Sequence, residues 1–150
     1  MTKNQEYTEK VSQQIFPSQL EVPLDDMYKD ERGEILNLLL TSITSVARIT
    51  SQKGAVRANH FHKTDWHYSY VESGEILYFE RSVGSSEIPV PIKYKTSEMF
   101  FTKPLVEHAM LFTMDTVLFT FAKNIRSHES HESDVERVLF ITPEIIKKYM

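Results

Sequence analysis

The chain contains no cysteine. Disulfide bridges and thiolate metal sites are therefore excluded, and any metal has to be held by imidazole, carboxylate, amide or water. No apolar run approaches the roughly 18 residues of a membrane-spanning helix. Met1 to Leu20 lacks the basic start and apolar middle of a secretory leader, so the expected compartment is the cytoplasm. Concentrated positive charge is missing as well. The net charge is −4, which argues against a nucleic-acid backbone as partner, because phosphate binding calls for clustered lysine and arginine. There is no long repeat, no domain linker and no helix-turn-helix pattern. The doublet His128-Glu129-Ser130, His131-Glu132-Ser133 is too short to count as a repeat and reads as solvated surface.

What is present is the composition of an ordinary globular domain, with 41% hydrophobic and 25% charged residues in 150. That length fits one domain with a real core. Residues 1–15 are polar and aperiodic and read as a flexible arm, leaving 16–150 as a single domain. Asp30-Glu31-Arg32-Gly33 has the make-up of a tight turn. Short runs rich in Val, Ile, Thr, Phe and Tyr then follow: Glu34 to Leu39, Ser42 to Thr50, Val56 to His62, Trp66 to Glu72, Glu75 to Arg81, Val90 to Tyr94, Met99 to Thr102, His108 to Phe112 and Thr116 to Ala122. Turn residues such as Ser73-Gly74 separate them, and strands at this spacing predict an all-β sandwich or barrel. Glu136 to Phe140 reads as an extra strand able to cross to a partner subunit. Thr142 to Met150 reads as a short C-terminal helix, capped by Thr142 with Pro143 in its first turn. Trp66, Tyr68 and Tyr70 form an aromatic stripe of period two, expected between sheets or against a partner.

Histidine is the informative residue. His60 and His62 share one face of a strand, with Phe61 on the other. A turn through Lys63-Thr64-Asp65 would return the chain with His67 close by, and His108 can join from a strand distant in sequence. If His67 lies on the same face as the first pair, these imidazoles come within reach of one ion.

Gly54, His60, His62 and Gly74 have the spacing of the first cupin motif, which runs glycine, five residues, His-x-His, three or four residues, Glu, six residues, glycine. His67 stands where that family has glutamate. In the second motif His108 matches the histidine, Lys103-Pro104-Leu105 replaces Pro-Pro-Gly, Ser97 replaces the leading glycine and Phe112 the final asparagine. The chain thus resembles the cupins over about residues 30–122. The resemblance implies a small jelly-roll barrel, commonly a homodimer, with His60, His62, His67 and His108 holding a divalent metal ion such as zinc, iron, manganese or nickel.

Asp30-Glu31-Arg32-Gly33 and Arg57-Ala58-Asn59-His60-Phe61-His62 also resemble the sugar-nucleotide cupins, a group that includes the dTDP-4-dehydrorhamnose 3,5-epimerases. This likeness implies an epimerase or isomerase acting on a nucleotide-linked keto-sugar in surface-polysaccharide synthesis, with Arg57 on the diphosphate. Three residues before His60, Arg57 needs an irregular strand to face the same way. His60 could act as base only if it is not also a ligand. With it assigned to the metal the base is open, and Tyr78 and Glu107 are candidates. A metal-dependent cupin oxygenase and a non-catalytic module for a small ligand are the competing expectations.

Overall fold

The computed structural model describes residues 20–150, and the arm expected over residues 1–15 lies outside them. Two antiparallel five-stranded sheets face each other. The first runs in the order β1 (Glu21–Val22), β9 (Met99–Thr102), β6 (His67–Ser73), β11 (Thr116–Ala122), β4 (Ser45–Ser51). The second runs β12 (Val135–Arg137), β5 (Val56–His62), β10 (Val106–Phe112), β7 (Glu75–Ser82), β8 (Ile92–Lys95). This is the jelly-roll architecture, an all-β barrel of two sheets. Strands β5, β9 and β11 have the bounds read from the sequence, because period-two alternation marks a strand most clearly where one face is core.

Between the sheets pack Val71, Ile76, Tyr78, Tyr94, Phe100, Met110, Phe112 and Leu118. That apolar plug fills one end of the barrel and leaves the other for polar side chains. The outer faces are covered too. Trp66, Tyr68 and Tyr70 lie with Met99 and Phe101 outside the first sheet, beneath Val22, Leu24, Leu38, Leu39 and Ile43. The aromatic stripe is therefore covered by the chain's own N-terminal segments. For the same reason the strand expected over Glu34 to Leu39 is cut short. Only β2 (Tyr28–Asp30) and β3 (Gly33–Ile35) form a hairpin around the expected turn, and Leu38 and Leu39 turn inward as cover. On the second sheet Leu77, Phe79, Ala109 and Leu111 pack beneath Phe140, Ile141 and Ile145.

The C-terminal quarter differs most from expectation. β12 pairs with β5 of its own chain, in the register Val135↔His62 and Arg137↔His60. A helix not expected from the sequence, α1 (His128–Asp134), precedes it. Ser127 caps α1 by accepting the Ser130 backbone N–H at 3.2 Å. The C-terminal helix, α2 (Pro143–Ile146), is a single turn. Thr142 occupies its cap position, but its side chain makes no capping hydrogen bond. Among the described residues no helix is long and apolar enough to cross a membrane.

Turn geometry survives without the glycines of the second motif. Ser97 (φ 70°) and Leu105 (φ 59°) adopt the left-handed conformation themselves, at a cost of roughly 1–2 kcal/mol each. Gly74 has no such freedom. At φ 105° its added Cβ would meet the Thr116 side chain and stand 2.6 Å from the Asp115 carbonyl oxygen. Gly74→Ala is expected to destabilise the fold by about 2–3 kcal/mol, through overpacking against backbone together with φ strain. Urea-unfolding midpoints of the two proteins check it.

Candidate metal centre and its cavity

The open end of the barrel holds a cavity of about 430 Å³, lined by His60, His62, His67, His108 and His131 with Arg57, Arg126 and Arg137. Strand register explains the convergence. His108 on β10 lies directly opposite His60 on β5, and alternation puts His62 on the same face. His67 opens β6 on the facing sheet.

The parity problem posed by Arg57 is solved by a bulge. Ala58 (φ 70°) and Asn59 (φ 54°) are both left-handed, and the register jumps from His108↔His60 to Ala109↔Ala58, leaving Asn59 as the extra residue. Asn59 is held there by Ile141, whose N–H donates to Oδ1 at 3.1 Å while Nδ2 donates to the Ile141 carbonyl at 3.2 Å. Beyond the bulge Arg57 reaches the cavity, its Nε donating to Ser51 Oγ at 2.7 Å and its terminal nitrogen to the Thr50 carbonyl at 2.9 Å.

The histidines are not equivalent. His60, His62 and His108 each offer a ring nitrogen, all within 4.8 Å of one another. His67 is not in that set, although its ring centroid lies 5.3 Å from that of His62 and 5.8 Å from that of His108, against 5.5 Å between His62 and His108. His62, His67 and His108 are buried, and His60 is partly open. Burial first, then mutual repulsion, keeps the cluster uncharged. His60 is pushed down to about 2, and His67 lies well below the usual imidazole range. His108 is lowered by burial to about 3, against the opposing pull of its hydrogen bond to Val106. His62 is lowered by burial although Asp65 and Asp134 act against the shift.

Neutral imidazoles are the protonation state that binds metal, and the donor set fits a divalent ion. Ligand distances of about 2.0–2.1 Å are reached from nitrogens this close by small side-chain rotations. His108 is already oriented for it. Its Nδ1–H donates to the Val106 carbonyl at 3.0 Å, which leaves the Nε2 lone pair free.

Two proposed catalytic residues lie elsewhere. Tyr78 faces the interior but sits below the cavity. Its hydroxyl donates to Glu80 Oε2 at 2.8 Å and lies 3.0 Å from Thr102 Oγ1. Burial, then the Glu80 charge, pushes the Tyr78 phenol well above its ordinary range, so it is a poor source or sink of protons. Glu107 precedes His108 on β10 and therefore points to the outer face. There it is buried against Arg81 Nε, and its other oxygen accepts the Gly84 N–H at 3.2 Å. The Arg81 guanidinium in turn lies 4.5 Å above the Phe140 ring. Glu107 ties β10 to β7 and to the loop that follows, and does not touch the cavity.

His131 is the site residue missed by sequence reading. Carried on α1, its ring lies 5.9 Å from His60 and 5.7 Å from His62. Its neighbour His128 remains exposed, as expected. Ser127 with the acidic Glu129 in the first turn is a helix-start signature, but nothing local separates His131 from the exposed His128.

No family model matches the chain, and no curated protein matches it by sequence. Solved structures do match in fold. The RmlC epimerase of Mycobacterium tuberculosis superposes with a TM-score of 0.65 at 14% identity, covering 84% of this chain and 71% of that one. QdtA, a sugar 3,4-ketoisomerase from Thermoanaerobacterium thermosaccharolyticum solved in complex with TDP, gives 0.60 at 20% identity, covering 83% and 93%. The capsular polysaccharide assembling protein CapF from Staphylococcus aureus gives 0.53 at 24% identity, covering 77% of this chain and 34% of that longer one. What is shared at these identities is the barrel. In fold the chain is similar to the sugar-nucleotide cupins, as its motif spacing implies, and within that barrel it carries an imidazole cluster.

Proposed function

We propose that this protein is a metal-holding epimerase or isomerase of a nucleotide-linked keto-sugar, working in surface-polysaccharide biosynthesis. The observation that carries the reading is the pairing of an uncharged imidazole cluster with three arginines in one cavity. The likeness in fold to an epimerase and a ketoisomerase supports it.

Each part has a job that the chemistry requires. A nucleotide sugar brings a diphosphate, and planar guanidinium groups match its oxygens in pairs. Arg57, braced by Ser51 and Thr50, and Arg126, whose terminal nitrogen donates to Thr120 Oγ1 at 3.0 Å, both keep donors unused for such a ligand. Arg137 is already engaged by Glu132 at 2.9 Å and is a weaker contributor. His60, His62 and His108 would hold the metal, with His67 beside them. When bound, the metal supplies a Lewis acid for the ketone oxygen of the sugar. A proton next to that ketone must leave and return. With Tyr78 and Glu107 placed elsewhere, His131 is the side chain at the mouth, clear of the tight trio, positioned to hold a proton over the sugar ring.

Incubation with dTDP- and GDP-linked 4-keto-sugars in deuterated water, in the presence of Zn²⁺, Mn²⁺, Fe²⁺ or Ni²⁺, tests the proposal. Deuterium at C3 or C5 is the expected result, detected by mass spectrometry and NMR. Absence of both exchange and binding across that panel overturns it.

A further inference from the structure

We propose that Asp134 is a positioning residue for the imidazole cluster, holding His62 with its proton on Nδ1 and its Nε2 lone pair turned to the cavity. The inference rests on the cluster being a metal centre for its effect on affinity, but not for its effect on His62 itself.

Asp134 closes α1 and comes from a stretch 72 residues away in sequence, yet its Oδ2 lies 3.3 Å from His62 Nδ1. Both side chains are nearly shut off from solvent, at 4% exposure for His62 and 10% for Asp134. The carboxylate is itself fixed. Oδ1 accepts the Thr64 N–H at 2.9 Å and the Thr64 hydroxyl at 2.7 Å, and Oδ2 also accepts the Asp65 N–H at 3.1 Å. The backbone is pinned alongside, with Lys63 N–H donating to the Asp134 carbonyl at 2.9 Å and Val135 opposite His62 in the β12–β5 ladder. The bonds from Thr64 and Asp65 are all donated to the carboxylate, so both of its oxygens already act as acceptors in the fold.

An ionised carboxylate can only accept. The His62 nitrogen facing it must therefore be the donor, and in a neutral ring the lone pair is then on the other nitrogen. His108 is oriented by a carbonyl of its own strand. His62 is oriented by a helix near the other end of the chain, so the quality of the centre depends on α1 staying docked. That gives the α1 excursion two roles at the cavity: it brings His131 to the mouth and orders a ligand beneath it.

Long-range ¹H–¹⁵N NMR of the metal-free protein at neutral pH reads the His62 tautomer directly. The expected wild-type result is protonated Nδ1 and bare Nε2. In Asp134→Asn the Nε2–H form should become populated and Zn²⁺ affinity should fall roughly 10- to 100-fold. Asp134→Glu should restore both in part. Thr64→Val removes a hydrogen bond from the same carboxylate without touching His62, so it should leave the tautomer unchanged and shows what loosening the turn does by itself. A wild-type His62 protonated at Nε2, or a tautomer the same in Asp134→Asn as in wild type, overturns the proposal. Should Asp134→Asn fail to fold, the wild-type tautomer and the Asp134→Glu comparison decide. If the wild type takes up no Zn²⁺, the metal reading fails by itself, and the tautomer comparison still decides the role of Asp134.

Discussion

His108→Ala and His60→Ala should each weaken Zn²⁺ binding by more than a hundredfold. Structural zinc sites with four ligands bind with about 10–16 kcal/mol, so one ligand carries on the order of 3 kcal/mol. These two residues face each other across β5 and β10 and belong to the tightest trio of ring nitrogens. The remaining rings, His67 and His131, come from other elements, with ring centroids 5.8 Å from His108 and 5.9 Å from His60 respectively. His67→Ala should cost less, since its ring nitrogens are not among the three that lie within 4.8 Å of one another. His128→Ala should cost nothing, since that ring is exposed. Competition against a chromophoric chelator gives the affinities, and metal analysis of the purified proteins gives occupancy. A wild type that binds no better than His108→Ala would dissolve the metal centre.

The sequence showed the barrel and most of the cluster for one physical reason. In a strand, side chains alternate, so His60 with His62, and the apolar residues of β9 and β11, declare their faces locally. Glu107 was expected in the loop before a strand starting at His108, but β10 begins at Val106 and takes it in. As the neighbour of His108 it had to point the other way, and the structure places it against Arg81. Tyr78 shares the interior face, but alternation says nothing of depth along the barrel, and the phenol ends beneath the cavity beside Glu80. The bulge at Ala58-Asn59 was not legible, because nothing about alanine announces a left-handed backbone. It is imposed from a distance, by Ile141 bonding both ends of the Asn59 amide. His131 was hidden for a related reason. None of the residues of α1 is buried, so the helix has no apolar stripe to reveal it, and its place over the cavity is set by tertiary contacts through Asp134. Local periodicity was readable, and long-range fastening was not.

Acid should unfold the metal-free protein steeply, and the cause is the same cluster. His60 titrates at about 2 and His108 at about 3 in the fold, against 6.5 when exposed. Between those values the unfolded chain holds a proton on each ring that the folded chain does not. Unfolding then takes up protons, so stability is complete above about pH 6.5 and declines as pH falls through that window. Each such histidine contributes a slope of about 1.4 kcal/mol per pH unit once its unfolded form is protonated, or about 3 kcal/mol per unit for the two together. His62, His67 and His131 are shifted in the same direction and add to the loss. Two pH units then remove about 6 kcal/mol through these two rings alone, enough to unfold a domain at the lower end of the typical range of roughly 5–15 kcal/mol. Urea midpoints measured between pH 7 and 4 should drop accordingly, and His60→Ala should flatten the decline by about one proton's worth of slope. Midpoints that stay level across that range would mean the rings are solvated and already titrating normally in the fold. Zn²⁺ acts in the opposite sense, because it binds only the folded, unprotonated cluster. At a thousand times its Kd it should add about 4 kcal/mol near neutrality and move the acid transition to lower pH, where protons finally outcompete the ion for the same lone pairs.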